Sequence, residues 1–592
     1  MLIFDCETDG LLPEVSKIHC LVIKDTETGD IYNYTGLDIP VGLRRLQAGV
    51  TICGHNVIKY DLPVIQKLYP WFSYESHWVL DTLVLARLLK TNIKDTDVKL
   101  MASEKLPKKY YGSHSLASWG YRLGNYKGDY TGGWETYSQE MLDYCIQDVE
   151  VTHTLYKYLL KDDVPERAIV LEHQIACLMA KQERNGFVFN EQGAAQLYTV
   201  LAKRRGELED DLRNYFGSWV VQLPDFIPAR DNKTLKYIKG VPVPRSKTIL
   251  FNPSSRDHIA NRLINLYGWK PEEYTASGKA QVDEVILSKL TFPPCELITE
   301  YLLVAKRISQ LAEGDQAWMK LSKKGKIHGS VNTNGAVTGR ATHAYPNISQ
   351  VPSGGSAYGH ECRELFTVPK GWRLVGADAS GLELRCLAHF MAKYDGGAYG
   401  EVLLTGDIHT ENQKAAGLST RSQAKTFIYA FLYGAGDAKI GTIVNGDAVA
   451  GRKLKKKFLR SLPALGRLSE AVKKAADRGY LTGLDGRRLH VRSSHSALNT
   501  LLQSAGALVC KKWLVILEDK LWANGLAHGW DKDYAFCAWS HDEVQIACRN
   551  QEVAEAVAKI ATDCVPLAGD YFNFRCPLAG ESKIGDTWRD TH

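Results

Sequence analysis

The opening decapeptide, MLIFDCETDG, ends its first apolar run with two acids on alternate positions, Asp5 and Glu7. In an extended chain residues two apart point the same way, so both carboxylates face one spot. Further carboxylates stand where they could join it: Asp61 in ICGHNVIKYDLPVI and Asp148 in MLDYCIQDVEVTHTLYKYLL, with Tyr144 four residues earlier. A second set follows far downstream, with Asp378 and Glu383 in WRLVGADASGLELRCLAHFM and Asp542 and Glu543 in YAFCAWSHDEVQIAC. Crowded carboxylates repel one another unless cations sit among them, and hard oxygen ligands suit magnesium or manganese. Between the downstream acids lies TRSQAKTFIYAFLYGAG, in which Arg421, Lys425, Tyr429 and Tyr433 recur at every fourth position. Cations first and aromatics after suit a nucleotide, with phosphates beside Arg421 and Lys425 and sugar and base beside the rings.

These groups act together only if regular elements aim them. Helical periodicity through Leu142, Cys145, Ile146, Val149, Thr152 and Leu155 predicts a helix with Tyr144 and Asp148 as neighbours on its surface. Asp61 lies in a strand or loop that leads into a helix. The apolar run Leu374 to Ala377 predicts a buried strand that delivers Asp378; Ser380 and Gly381 break it, and a helix through Leu384, Leu387 and Ala388 follows. Two short strand-like runs flank Ser540-His541-Asp542-Glu543, which predicts a hairpin tipped with acids. The Arg421 stripe extends about 18 Å along a helix, while Phe427, Ile428, Phe431 and Leu432 lie mostly off it and can pack. In HSALNTLLQSAGAL, His495, Asn499 and Gln503 form a second polar stripe among Gly, Ala and Leu. Taken singly, each motif has an ordinary structural explanation, as a turn, a solvated helix face, or core tyrosines with snorkelling cations.

Together, Asp5, Glu7, Asp61, Tyr144 and Asp148 resemble, in order and local context, the four-acid signature of the 3′→5′ exonucleases of the ribonuclease H-like fold. Phosphodiester hydrolysis by in-line attack calls for two divalent ions, one to activate water and one to steady the departing 3′ oxygen. The resemblance implies Asp5, Glu7 and Asp148 as direct ligands, Asp61 as a further or water-mediated one, and Tyr144 as the group that holds the attacking water.

The downstream motifs, Asp378 with S-G-L-E, the R-x-x-x-K-x-x-x-Y-x-x-x-Y-G helix and H-D-E after a strand, resemble those of the family A DNA polymerases. The similarity is greatest to the replicative polymerases of short-tailed bacteriophages, through GAVTGRATHAYPNISQVP, GADASGLELRCLAHFMA, GDIHTENQ, AKTFIYAFLYGAGDAKIG and HSALNTLLQSAGAL, and it runs from Asp5 to the last residues. It implies a template-directed DNA polymerase with proofreading, on an α/β architecture: a ribonuclease H-like exonuclease domain followed by a right hand of palm, fingers and thumb. The expected domains are the exonuclease at 1–163, the thumb at 164–320, the palm at 321–394 and 531–592, and the fingers with primer-template helices at 395–530.

The same resemblance assigns roles. Asp378 and Asp542, with the carbonyl of Ala379, are expected to hold two Mg²⁺ or Mn²⁺ ions, as the exonuclease acids hold two more, and Glu543 to support the cluster. His409, Arg421 and Lys425 are expected to neutralise the triphosphate, with Lys425 donating a proton to the departing pyrophosphate. Glu383 and Tyr429 bound the sugar, excluding a 2′-hydroxyl while the Tyr429 hydroxyl weakens rejection of dideoxynucleotides, and Tyr433 stacks at the templating position. Arg340, His495, Asn499, Gln503 and His541 are the expected DNA contacts, with donors aimed at minor-groove acceptors that every base pair offers.

Basic residues cluster at Lys323, Lys324 and Lys326, at Arg452, Lys453 and Lys455 to Lys457, and at Arg487 and Arg488, although the net charge of +6 is small for 592 residues and identifies no polyanionic partner alone. From Trp219 to Asn252 the texture changes, with prolines at 224, 228, 242 and 244 among Lys233, Lys236, Lys239, Arg245 and Lys247. The phage relatives carry a longer insertion there that recruits host thioredoxin; the shorter segment, near 220–250, is expected to be a basic loop facing DNA, with thioredoxin a doubtful partner. Primer-template DNA, deoxynucleoside triphosphates and a replicative helicase-primase complete the expected partners, since no G-x-x-x-x-G-K-[ST] loop supplies a helicase; no 5′ nuclease region is expected before the exonuclease. The thirteen cysteines lack a C-x-x-C pair, which fits a reducing compartment. No apolar stretch reads as a bilayer span and no signal peptide is expected, so the expected location is the cytoplasm of a bacterial host. Three alternatives remain: a single-subunit RNA polymerase, an exonuclease with a retired polymerase body, and a DNA-binding replication scaffold without turnover.

Overall fold

Alternation decides the first sheet. Along Leu2–Thr8, Leu2, Phe4 and Cys6 pack on one face with Leu43, Leu46, Leu62 and Ile65, and Ile3 packs on the other with Met141, Cys145 and Val149. This is seen in a computed structural model of the chain, which describes residues 1–163 and 165–592; Val164, where a thumb is expected to begin, lies outside the described residues. Five strands pair in the order Ile31–Thr35, Ile18–Asp25, Leu2–Thr8, Ile52–Gly54 and Val79–Asp81. The first three are antiparallel and the last two are parallel to the central one. Helices Ile39–Ala48 and Asp61–Leu68 supply the apolar cover of one face, and helix Gln139–Leu159 that of the other. Asp5 and Glu7 share the face of Ile3 by the two-residue period, so they look toward helix Gln139–Leu159.

The second sheet is antiparallel throughout, in the order Tyr534–Ser540, Glu543–Cys548, Arg373–Ala379 and Gly580–Gly585. Its central strands read as near-continuous apolar runs because helices Ala497–Ala523 and Gln551–Tyr571 share its core, through Leu508, Trp513, Val557 and Ala561. The expectation that no stretch is long and apolar enough for a bilayer is corrected by one helix. Within Ser494–Ala523 an 18-residue window has a mean hydropathy of 1.3 and is 78% buried within the protein, so its apolarity serves the core.

The chain divides into two compact units, one made of Met1–Phe187, His328–Gln350 and Val368–His592, the other of Val188–Ile327 and Val351–Thr367. Both sheets belong to the first. Helix Glu166–Asn185 does too: Leu171, Ile175 and Met179 join the core of the antiparallel sheet, and Ala176 and Ala180 that of the five-stranded sheet.

In the second unit, helix Cys295–Ile308 packs along Glu191–Phe216 and is tied to it by Arg204 and Glu300 at 2.7 Å. The proline-punctuated stretch is not an irregular loop. Ser218–Phe226 and Val243–Leu250 pair as an antiparallel ribbon with Trp219 opposite Ile249, Val221 opposite Lys247 and Leu223 opposite Arg245. A two-stranded ribbon consists of edges, where proline is tolerated, and the register shifts between Leu223 and Phe226, around Pro224. Arg262 covers the Trp219 ring at 4.1 Å, anchoring the base of the ribbon.

Candidate functional site

Two acid clusters form in the first unit. In one, Asp5 and Glu7 project from the central strand toward helix Gln139–Leu159, and their carboxylate oxygens and the Cys145 sulfur all lie within 4.8 Å of one another. Asp148, 2% exposed, follows Tyr144 by one turn on that helix. Asp61, 4% exposed, opens helix Asp61–Leu68 and accepts hydrogen bonds from the Cys6 amide at 3.3 Å and the Cys6 thiol at 3.2 Å. The cluster thus gathers all four acids and the tyrosine.

Burial and mutual repulsion raise the pKa values of these carboxylates. Burial, then the charge of Asp61, lifts Asp5 to about 7. Burial, then Asp5, lifts Asp148 to about 7 and Glu7 to about 10. Burial also outweighs the hydrogen bonds of Asp61 and lifts it to about 6. The partner that sequence reasoning missed is Lys127, from the aperiodic stretch NYKGDY. Its ammonium donates to Oδ2 of Asp148 and lies 4.5 Å from the Tyr144 ring centroid, while Oδ1 of Asp148 is buried without a hydrogen-bond partner. An orphaned carboxylate oxygen beside other carboxylates is a donor set that fits a hard divalent cation.

The other cluster sits at the end of the antiparallel sheet. Asp378 stands in register between Glu543 and Glu581, and the amide of Ala379 donates to the carbonyl of Asp542 at 3.0 Å, so pairing brings the distant aspartates into one cleft. The turn at Asp542 is possible because His541 takes the left-handed conformation, with φ 58°. Burial, then Glu383, raises Asp542 to about 6, with Asp378 and Glu543 adding to the effect. Burial, then Glu581 and Glu543, raises Asp378, while His592 and Lys583 oppose. Glu543 accepts hydrogen bonds from Gln545 at 2.7 Å and from the Trp588 indole at 2.5 Å, and pairs with His592 at 2.8 Å. Glu581, Trp588 and His592 were not singled out by sequence reasoning; ESKIGDTW carries no sign that its strand borders Asp378. The oxygen-rich cleft, with like charges raising both aspartates, again suits a hard cation.

The stripe helix, Arg421–Leu432, begins with a reciprocal cap between Thr420 and Gln423 and buries Phe427, Ile428 and Leu432, while Arg421 and Lys425 are exposed. Arg421 is held by Asp407, which caps the neighbouring helix Ile408–Ala416, through bonds of 2.6 and 3.1 Å. His409, with a ring 6.2 Å from that of Tyr429, keeps a buried Nδ1 without a hydrogen-bond partner. Tyr433 closes the helix, and its hydroxyl donates to Glu383 at 3.0 Å, so Glu383 meets Tyr433 directly; Tyr429 lies near enough for Glu383 and Asp542 to add to the effect of burial in raising its hydroxyl. A small cleft joins Arg340, Glu383, His541 and Asp542 with Leu382 and Gly506. Beyond it Gln503 donates to Asn499 at 2.8 Å, whereas His495 precedes the helix, in a 3₁₀ turn.

One basic pair is corrected. Arg487 is not a surface cation: its side chain is 2% exposed and pairs with Glu172 and Asp485 at 2.6 Å each, and Lys511, fully buried, also reaches Glu172. Asp485, two residues before it, and Glu172, 315 positions away in sequence, make its burial tolerable. Arg452 and Lys455 are paired with Asp437.

Paired acids at the end of a four-stranded antiparallel sheet, beside a helix of cations and tyrosines, form the architecture of a polymerase. A sequence profile of DNA polymerase family A matches residues 244–590, and the chain belongs to that family. The DNA-directed DNA polymerases of Enterobacteria phage T3 and Escherichia phage T7 are each 42% identical to it over 705 aligned positions that span all of both chains. Among solved structures, the POL domain of Pol1 from M. smegmatis, in complex with DNA primer-template and dNTP, matches its fold with a TM-score of 0.73 at 15% identity, over 100% of this chain and 95% of that one.

Proposed function

We propose that the chain is a DNA-directed DNA polymerase that extends a primer 3′-OH with deoxynucleotides and proofreads with a 3′→5′ exonuclease. The observation that carries this reading is the meeting of Asp378 and Asp542 in one cleft next to the Arg421 helix, in a member of family A. The five-stranded sheet with its acid cluster supports a ribonuclease H-like exonuclease at 1–163. The thumb is assigned to 164–320, the palm to 321–394 and 531–592, and the fingers to 395–530.

Two magnesium or manganese ions, when bound in each cluster, supply the Lewis acidity for attack and for departure of the leaving oxygen. Asp378, Asp542 and the Ala379 carbonyl would hold them in the palm, with Glu543 tethered behind. Asp5, Glu7 and Asp148 would do so in the exonuclease, with Asp61 as a further ligand and Tyr144 orienting water. Arg421 must exchange Asp407 for triphosphate oxygens, joined by Lys425 and His409; Lys425 is the proton donor to pyrophosphate. Glu383 and Tyr429 bound the sugar, Tyr433 meets the template, and Arg340, His495, Asn499, Gln503 and His541 line the duplex. The ribbon 218–250 is assigned to the DNA backbone, with a helicase-primase as co-worker in the host cytoplasm.

The test pairs two sets of substitutions in the full-length chain. Asp378→Ala should abolish primer extension and spare degradation of a primer 3′ end; Asp5→Ala with Glu7→Ala should do the reverse. Extension that survives Asp378→Ala would overturn the polymerase assignment.

A further inference from the structure

Lys127 is placed in the acid cluster by construction rather than by chance of a long side chain. Gly124 and Gly128, both with positive φ, bound its turn. Gln147, the neighbour of Asp148, donates to Oδ1 of Asn125 at 2.9 Å and to the carbonyl of Tyr126 at 2.7 Å, and Asn125 donates to Thr154 at 3.0 Å. These bonds clamp the turn to helix Gln139–Leu159, which also carries Asp148. The ammonium ends between the Tyr144 ring and Oδ2 of Asp148, in an ion pair whose side chains are 23% and 3% exposed.

We propose that Lys127 is a tethered counter-ion standing in for the second of the two divalent ions, and that this ion binds Asp148 only by displacing it. This rests on the exonuclease reading above. Charge requires the exchange. A bound cation favours the ionised form of each acid, and four ionised acids with one lysine leave three negative charges; one divalent ion leaves one. A second divalent ion beside the lysine would leave one positive charge, so a third cation is surplus until a phosphodiester brings its own negative charge. Displacement moves only a four-carbon stem, because the turn is held separately. Lys127 is therefore a positioning residue that keeps the second ion weakly bound until DNA arrives. The unpartnered Oδ1 of Asp148 offers the incoming ion a first foothold.

The experiment titrates Mn²⁺, followed by electron paramagnetic resonance and calorimetry, into the full-length chain without DNA. The chain carries Asp378→Ala and Asp542→Ala to silence the palm. The expected result is one tight and one weak ion in this background. Adding Lys127→Gln should tighten the weak site by at least about tenfold, as removal of a competing charge a few ångströms away demands, while Lys127→Arg leaves it weak. A second-site affinity within about twofold of the parent in Lys127→Gln, or a weaker one, overturns the proposal. Loss of both ions on adding Asp5→Ala marks the cluster as their site. If neither ion responds to Asp5→Ala, the exonuclease reading itself has failed, an outcome distinct from an unchanged Lys127→Gln.

Discussion

Glu172→Gln tests how the buried ionic group holds the first unit together. Glu172, Asp485, Arg487 and Lys511 bring two negative and two positive charges together, with side chains between 0% and 2% exposed. Oε1 of Glu172 accepts from both Arg487, at 2.6 Å, and Lys511. Burial draws the Lys511 ammonium down to about 8, and its attraction to Glu172 opposes that fall; although burial raises the Glu172 carboxyl, the two cations more than offset this and hold it below its usual range. Glutamine keeps the shape and removes the charge, leaving two cations against one carboxylate. Breaking one partner of a buried ionic group costs about 3–5 kcal/mol, and Lys511 can relieve part of this by giving up its proton. Lys511→Met should cost a similar ~3–5 kcal/mol, by stranding a carboxylate. The double variant restores neutrality, so its loss should fall at least about 2 kcal/mol short of the sum of the singles. Urea unfolding, followed by tryptophan fluorescence and far-ultraviolet circular dichroism with the slope checked for constancy, measures all four proteins. A Glu172→Gln protein within about 1 kcal/mol of the parent, or additive losses, would refute the reasoning.

Three further outcomes are expected. In EDTA, the melting temperature of the parent minus that of the Asp5→Asn/Asp148→Asn variant should fall as pH rises from 6.5 to 7.5. Burial and neighbouring carboxylates raise Asp5 and Asp148 to about 7, so the folded chain binds protons there that the unfolded carboxyls have released, and taking the difference removes the buried histidines, such as His55 and His114, drawn down to about 3, whose unfolded imidazoles take up protons in the same window; Mn²⁺ should flatten the slope, and a slope unchanged by metal would count against ion binding there. Asp407→Asn keeps the helix cap but weakens the hold on Arg421, so deoxynucleotide affinity in primer-extension kinetics should rise by up to about fivefold, the equivalent of an exposed ion pair; unchanged or weaker affinity would remove the competition. Tyr429→Phe should raise discrimination against dideoxynucleotides severalfold in competitive incorporation, and equal discrimination would remove the hydroxyl from sugar selection.

The strands and helices that carry the acids were legible because their signals are local. Alternation marks Leu2–Thr8, an apolar run followed by Ser380-Gly381 marks the end of Arg373–Ala379, and four-residue spacing marks Arg421–Leu432. What escaped depends on pairing between distant segments. Lys127 lies in a turn without period, Glu581 reaches Asp378 only through the register of the last strand, and Arg487, although Asp485 is close by in sequence, looks like surface charge until Glu172 is brought to it. The ribbon 218–250 escaped for another reason: prolines argue against central strands, and its strands are both edges.

Helix Glu166–Asn185 contributes side chains to two hydrophobic cores at once, Leu171 and Met179 to one, Ala176 and Ala180 to the other. Such a shared beam ties the sheet that carries Asp5 and Glu7 to the sheet that carries Asp378. On the proposed reading of the two clusters, a mispaired 3′ terminus would travel by fraying from its template and crossing a set span as single strand, and the balance between copying and correction would become a race between melting of the terminal base pairs and addition of the next nucleotide.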